Sequence, residues 1–257
     1  MSAPWISVIG VGPEGPAGLT PAALAALEGC AHVVCAPRHE EILGALVADK
    51  TVHHWPAWHQ ARKVIAPLEG QRVAVLGTGE PFHFGVGSSL VRWFGTAALE
   101  VFPVPSAFDR ACARLGWAQQ STLCLSAYGR PLGAVLVQAR VGAQLLILGD
   151  GELGLRLGPA LTAMGLGESR IMALSQMDGG VESRLDGLAR AWAETVDPIT
   201  TWAVTVEADP DAKPAWPGLR REPFGLPDDA FKHDGKITKR EVRAVSLSAL
   251  LSAPGGG

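Results

Sequence analysis

Charge is scarce in this chain of 257 residues: 18% of residues are charged, and the formal net charge is −3. There is no global basic field to attract nucleic acid. Cysteine is sparse too. Cys30, Cys35, Cys112 and Cys124 are the four present, and none forms a C-x-x-C pair. A chain this long does not need disulfide staples, so these read as reduced, mostly buried thiols of a cytoplasmic protein. Long apolar runs are missing. The longest, around Leu145 to Leu148, suits a core strand and falls far short of the roughly 20 residues of a membrane span. The N-terminal MSAPWISVIG carries no positive charge before its apolar run, unlike a signal peptide. His53, His54 and His59 lie near Trp55 and Trp58 without a carboxylate or thiol at ligand spacing. That region reads as a Trp-rich packing surface, and no metal site is expected. No side chain stands out as a general base, so catalytic residues stay unassigned.

What is abundant is apolar sequence in short pieces. Hydrophobic residues make up 47% of the chain, ample for a buried core. Short β-type runs recur near Ile6, Val33, Val73, Val101, Leu123, Leu145, Ile171 and Trp202, with helical patterns between them. This alternation indicates an α/β protein with much parallel sheet. Thr20 and Pro21 predict an N-cap and first helical residue for a helix continuing to Leu27. Leu90–Phe94, Arg110–Leu115, Leu132–Ala139 and Pro159–Met164 are further helix candidates. Ser183–Trp192 is the clearest on pattern, with Leu185 and Leu188 on one face.

The stretch VAVLGTGEPFHFGVGSSL, Val73 to Leu90, is the most informative. An apolar run feeds Gly77-Thr78-Gly79-Glu80-Pro81, with Gly85 and Gly87 following. A buried strand running into a glycine-rich loop is how open α/β sheets bring backbone close to a ligand. The loop lacks the Lys-Ser/Thr ending of a P-loop and the dinucleotide G-x-G-x-x-G spacing. Glu80 argues against a phosphate cradle and suits a hydroxyl or an ammonium group. At the N-terminus, Ile6-Ser7-Val8-Ile9-Gly10-Val11-Gly12-Pro13 reads as a first strand and its turn. Ser106, just before Ala107 and Asp109, reads as a helix cap whose hydroxyl could also meet a ligand carboxylate beside free backbone N–H groups.

These segments, in this order, resemble the tetrapyrrole methylase family. The loop matches its second motif at Thr78, Gly79, Pro81 and Gly85. The run V-I-G-V-G-P…L-T-P-A-A-L matches its opening. Ala31 to His39 (AHVVCAPRH), Val104 to Phe108 (VPSAF), Leu125 to Pro131 (LSAYGRP), Leu145 to Gly151 (LLILGDG), Met164 to Met172 and Gly179 to Glu182 follow in sequence. The similarity covers Ile6 to about Glu207 and is greatest for the branch that methylates a late corrin precursor, of precorrin-7 or precorrin-6B type, at carbon 5. Three positions depart from the family pattern: Glu80 replaces aspartate, Tyr128 replaces histidine, and Ser175 stands where glutamate is frequent.

The resemblance implies two α/β domains, residues 1–104 and 105–207, with a donor-binding cleft between them, the tetrapyrrole methylase fold. It implies S-adenosylmethionine as cofactor, leaving as S-adenosylhomocysteine. The donor-binding residues it suggests are Gly12, Pro13, Gly77, Thr78, Gly79, Glu80, His83, Phe84, Gly85, Ser106, Ala107, Asp150, Met172 and Ala203. Arg38, His39, Tyr128 and Arg130 are the substrate-binding candidates, because arginine pairs bidentately with the many carboxylates of such a substrate. A homodimer is expected. Residues 208–257 differ in composition, rich in proline and charge, and read as a linker. Gly225–Phe231 and Ile237–Arg243 resemble the start of a second methyltransferase half, and Thr238 with Glu241 forms a capping box for a helix Lys239–Leu251. Carbon-5 methylation alone, without decarboxylation or carbon-15 methylation, is therefore expected. That second half would be supplied by a fused or separate partner. Two other readings remain: a related methylase with a macromolecular substrate, such as a diphthine synthase, and a non-catalytic scaffold.

Overall fold

The computed structural model describes residues 3–55, 57–210, 228 and 235–251. The chain forms two compact units, Met1–Ser121 with Leu174–Arg184, and Thr122–Ala173 with Leu185–Gly257.

In the first unit, β1 (Ile6–Val11), β2 (His32–Cys35), β3 (Thr51–His54), β4 (Val73–Thr78) and β5 (Leu99–Phe102) lie in the order β3-β2-β4-β1-β5. Every pairing is parallel. Parallel sheets need both faces covered, and all six residues of β1 are buried. Alternation divides them. Ile9 and Val11, with Ala74 and Leu76, pack under α1 (Pro21–Glu28) and α2 (Pro37–Leu43) through Ala23, Leu27 and Leu43. Ile6 and Val8, with Val73 and Val75, pack under α3 (Ala61–Ile65) and α4 (Gly87–Phe94) through Ala61, Ile65 and Leu90. Each large apolar side chain buried this way contributes roughly 1.5–3 kcal/mol. The helices that follow β1 and β4 thus cover opposite faces, and the two strand ends sit side by side, Val11 opposite Thr78. Thr20 caps α1 as the sequence predicts, its hydroxyl accepting the Ala23 N–H at 3.2 Å. Trp55, Trp58 and Trp93 stack edge and face against the second cluster.

The unit division falls after Ser121, later than the proline-punctuated segment near 104 suggested. The reason is α5 (Ala107–Leu115): Phe108 packs on His83 and Phe84, and Arg110 pairs with Glu14, so this helix belongs to the first unit.

The second sheet contains β6 (Thr122–Ser126), β7 (Gln144–Gly149), β8 (Arg170–Ser175), β9 (Ser183–Leu188) and β10 (Thr200–Thr205), in the order β6-β7-β10-β8-β9. β6 and β7 are parallel, while β7 and β10 are antiparallel. α6 (Gly133–Leu136) and α7 (Leu153–Ala163) accompany it, with Leu153, Leu157 and Leu161 packed on Leu145, Ile147, Trp202 and Val204.

All eight expected strand positions are strands, and β3 and β9 are additional. β9 corrects the helix expected over Ser183–Trp192. Two leucines three apart in so short a segment do not separate helix from strand, and Gly187 lowers helix propensity. The backbone is satisfied across the chain instead: Ala189 N donates to Ser169 O at 2.8 Å and Arg190 N to Gly167 O at 3.0 Å. The Pro159–Met164 helix begins at Leu153, with Pro159 inside it. Gly154 and Gly158, one turn apart, obscure its start in the sequence; they let Trp192, Trp202 and the Ala189 carbonyl approach the helix closely. Near the C-terminus α8 spans Arg240–Leu251, one residue inside the expected helix. The Gly225–Phe231 segment lies outside the described residues except at Asp228, which accepts from Arg243 Nη1 at 2.6 Å.

Candidate functional site

In the first unit three backbone segments meet beyond the C-terminal ends of β1 and β4. Gly79 N donates to Val11 O at 3.0 Å, which fastens the glycine loop to the end of β1. The Gly79 carbonyl lies where a Cβ on Gly10 would be, so only glycine at position 10 admits the loop. Gly79 itself has φ +64° and faces the start of α5, its Cβ direction 3.7 Å from Ser106 Cα and 3.9 Å from Ala107 N. The loop closes on itself further along. A Cβ at Gly85 would strike Pro81 O at 2.5 Å, and Gly77 sits under Val86. Glu80 Oε2 accepts the Phe82 N–H at 2.7 Å, so this carboxylate shapes the loop. His83 lies between two rings, 5.4 Å from Phe84 and 4.5 Å from Phe108. Phe84 has φ +59° and remains 43% exposed, a strained residue of the kind held at ligand sites.

Ser106 is the N-cap of α5, as expected, but its donors are already engaged. Its hydroxyl gives its proton to Asp109 Oδ2 at 2.6 Å, and its N–H reaches the same oxygen at 2.7 Å. Burial pushes the Asp109 carboxyl up, yet the Ser106 hydrogen bonds outweigh it and hold the group below the usual range. Without a ligand, the Ser106 hydroxyl serves Asp109. The groups left for an anion are the N–H groups of Ala107 and Phe108, which a helix's first turn leaves without intrahelical partners.

Arg38, His39 and Thr78 come together. Arg38 Nη2 donates to Thr78 Oγ1, and His39 Nε2 lies 2.9 Å from the same oxygen. Arg38 is exposed on the first turn of α2, while His39 is 3% exposed. Burial, and then the charge of Arg38, push the His39 pKa down to about 4, so the ring is neutral near pH 7. His39 thus faces Thr78 from inside the fold, and Arg38 is the exposed member of the pair.

Sequence reasoning missed a chain of ion pairs beside this site. Gly12 makes room for Glu14, whose Oε1 is 2.7 Å from Arg110 Nη1. The same guanidinium pairs with Asp178, which also pairs with Arg114. Arg114 grips Glu182 with two bonds, 2.7 and 2.8 Å, and the hydrogen bond from Arg114 holds the Glu182 carboxyl below its ordinary value. Arg110 is 7% exposed. Its partners lie far away in sequence, and no local pattern announces them. Pro13 is exposed in the turn that this network anchors.

The remaining candidates lie in the second unit. Asp150 takes Arg156 on both oxygens at 2.7 Å and the Glu152 N–H at 3.0 Å. Tyr128 sends its hydroxyl to Gly149 O at 2.9 Å with Pro198 O at 3.3 Å, tying its turn to the end of β7. Arg130 is exposed after Gly129, which has φ +63°. Met172 and Ala203 are buried in β8 and β10, at 7% and 0% exposure.

Comparison with known proteins bears on what these residues do. The profile of the tetrapyrrole (corrin/porphyrin) methylases matches residues 6–164. A precorrin-6Y C(5,15)-methyltransferase [decarboxylating] of Sinorhizobium sp is 36% identical over 256 residues, which is 98% of this chain and 60% of that protein. A cobalt-precorrin-7 C(5)-methyltransferase of Salmonella typhimurium is 28% identical over 130 residues, 49% of this chain and 62% of that one. The chain spans about three fifths of the length of the curated relatives it matches. Among solved structures, a uroporphyrin-III C-methyl transferase from Thermus thermophilus, complexed with S-adenyl homocysteine, aligns with a TM-score of 0.60 at 19% identity. That alignment covers 77% of this chain and 96% of that one, and shows a common fold. By the matched profile and the ordered strand-and-loop segments that carry it, the chain belongs to the tetrapyrrole methylase family.

Proposed function

We propose that this chain transfers a methyl group from S-adenosylmethionine to carbon 5 of a late corrin precursor. One observation carries the reading furthest: Gly10, the Gly79 loop and the start of α5 converge at neighbouring strand ends, with glycine required where the backbones approach. Ligands of open α/β sheets bind beyond the carboxyl ends of the strands. The residues fit the donor. The N–H groups of Ala107 and Phe108 suit its carboxylate. Backbone of the Gly77–Gly85 loop suits its adenosine and methionine parts, and Glu80 suits a hydroxyl or ammonium group. The bound donor supplies an activated methyl group. The chain's own contribution is positioning, which converts a two-body encounter into a one-body step. Arg38 and Arg130 suit the acetate and propionate groups of the substrate.

The similarity to a relative named for carbon-5 methylation and to longer relatives named for carbons 5 and 15 supports assigning carbon 5 to the residues in hand. Decarboxylation and carbon-15 methylation fall to a second half, fused or separate. A cytoplasmic homodimer completes the proposal; no helix among the described residues is long and apolar enough to cross a membrane. The decisive experiment supplies methyl-labelled donor with a precorrin-7-type substrate and locates the label by NMR. Label at carbon 5 is expected. A scaffold would bind neither donor nor S-adenosylhomocysteine in calorimetry, and either null result would overturn the proposal. Sedimentation tests the dimer.

A further inference from the structure

The protons around Thr78 leave one with no destination inside the first unit. A guanidinium only donates, so Thr78 Oγ1 accepts from Arg38 Nη2. His39 is neutral and carries a single ring proton. His39 Nδ1 is buried without a hydrogen-bond partner among the described residues, and Nε2 faces Thr78 Oγ1. If the proton sat on Nδ1, a buried N–H would point at nothing. If it sits on Nε2, it is donated to Thr78 and the bare nitrogen is an acceptor. Orphaned buried N–H groups are the rarer of the two kinds of unmet group. The Nε2–H tautomer follows. Thr78 Oγ1 then receives two donors, which fill both its lone pairs, and its own proton points away from Arg38 and His39. Thr78 is exposed at the end of β4, so that proton faces outward.

We propose that Thr78 is a ligand-binding hydroxyl that, with the adjoining Arg38 guanidinium, takes a carboxylate of the substrate, and that His39 is a positioning residue that fixes the direction of the Thr78 proton. An outward O–H beside an exposed guanidinium selects a group that is negatively charged and only accepts. No carboxylate of the protein pairs with Arg38 among the described residues. The identity of the carboxylate rests on the corrin-methyltransferase reading; the tautomer does not. The donor's own carboxylate has a separate place at the start of α5, where Ala107 and Phe108 offer their N–H groups.

The test has two arms. In the first, long-range proton–nitrogen NMR on protein with labelled histidine reads the His39 tautomer, with His39→Gln assigning the signal. Nε2–H is expected, and Nδ1–H overturns the proposal. In the second, cobyrinic acid, its heptamethyl ester and S-adenosylmethionine are titrated into the unaltered protein, Thr78→Val and Thr78→Ser. Valine keeps the branched shape suited to a strand and removes the hydroxyl. The expected result is that Thr78→Val weakens the acid by roughly tenfold or more. Thr78→Ser restores it to near the parent value, while the ester responds to neither. If Thr78→Val weakens the donor instead, the carboxylate belongs to the donor and the proposal fails. If the unaltered protein binds donor but not the acid, the corrin reading falls. If it binds the acid and Thr78→Val binds equally well, the Thr78 role alone is overturned.

Discussion

Gly10→Ala separates a glycine required by contact from one that is merely present. A Cβ at Gly10 falls on the Gly79 carbonyl oxygen and 3.0 Å from Val104 Cγ2. The first is backbone, so no rotamer relieves it. The loop must retreat to the 3.4 Å of ordinary contact, or β1 must part from β4, where Gly10 pairs with Gly77. Overpacking of this kind costs about 1–3 kcal/mol. Strain on the Gly79 N–H to Val11 O bond adds about 1 kcal/mol, while the stiffer unfolded chain offsets about 0.5–1 kcal/mol. The net loss is about 1–3.5 kcal/mol, equivalent to roughly 2–14 °C in Tm for a chain of this size. Because the displaced segment is the proposed donor loop, donor affinity should fall about tenfold or more. Gly133→Ala is the control. It lies in α6 with nothing within 4 Å of the added Cβ, and should stabilise by about 0.5–1 kcal/mol. Thermal unfolding and donor calorimetry on the two variants decide the matter. A Gly10→Ala protein with the parent Tm and donor affinity would refute the reasoning.

Arg110→Met should cost about 2–3 kcal/mol in urea unfolding, because Glu14 and Asp178 lose their shared cation in a partly buried setting; a loss below about 0.5 kcal/mol would mean the network contributes little. His39 predicts a pH dependence. Its folded pKa of about 4 lies below the ordinary 6.5, so the unfolded chain binds the extra proton between those values. Stability is full above about pH 6.5 and declines by roughly 3 kcal/mol as the pH falls to about 4; His39→Gln should flatten this part of the urea-midpoint profile. A chain ended after Pro210 should keep its donor affinity, whereas one ended after Val206 should lose about 2 kcal/mol in thermal unfolding. The second cut removes Asp209, whose N–H donates to Gly165 O at 2.9 Å and whose Oδ1 takes the Glu168 N–H at 2.7 Å.

Much was legible before any coordinates. Apolar runs bounded by glycine and proline mark local choices of backbone, and eight strands and the Thr20 and Ser106 caps follow from neighbours a few residues apart. The family, too, lies in the linear order of motifs. Where the local signal was divided, only tertiary contact decided. β9 is a strand because it joins the edge of the second sheet beside β8, and Ala189 and Arg190 just after it bond to Ser169 and Gly167, not one turn away. α7 contains Gly154 and Gly158 because two tryptophans and a carbonyl press on it. The site divides along the same line. That Gly79 opens a tight glycine-rich loop after a buried strand is written in its neighbours. That Gly10 admits it, that Ser106 is already engaged by Asp109, and that Arg110 meets Glu14 and Asp178 depend on residues brought together by the sheet. Sequence fixes what a residue can donate, accept or tolerate in its own backbone; which partner fills that capacity is set by the fold, because only the fold determines which distant groups are within hydrogen-bond reach.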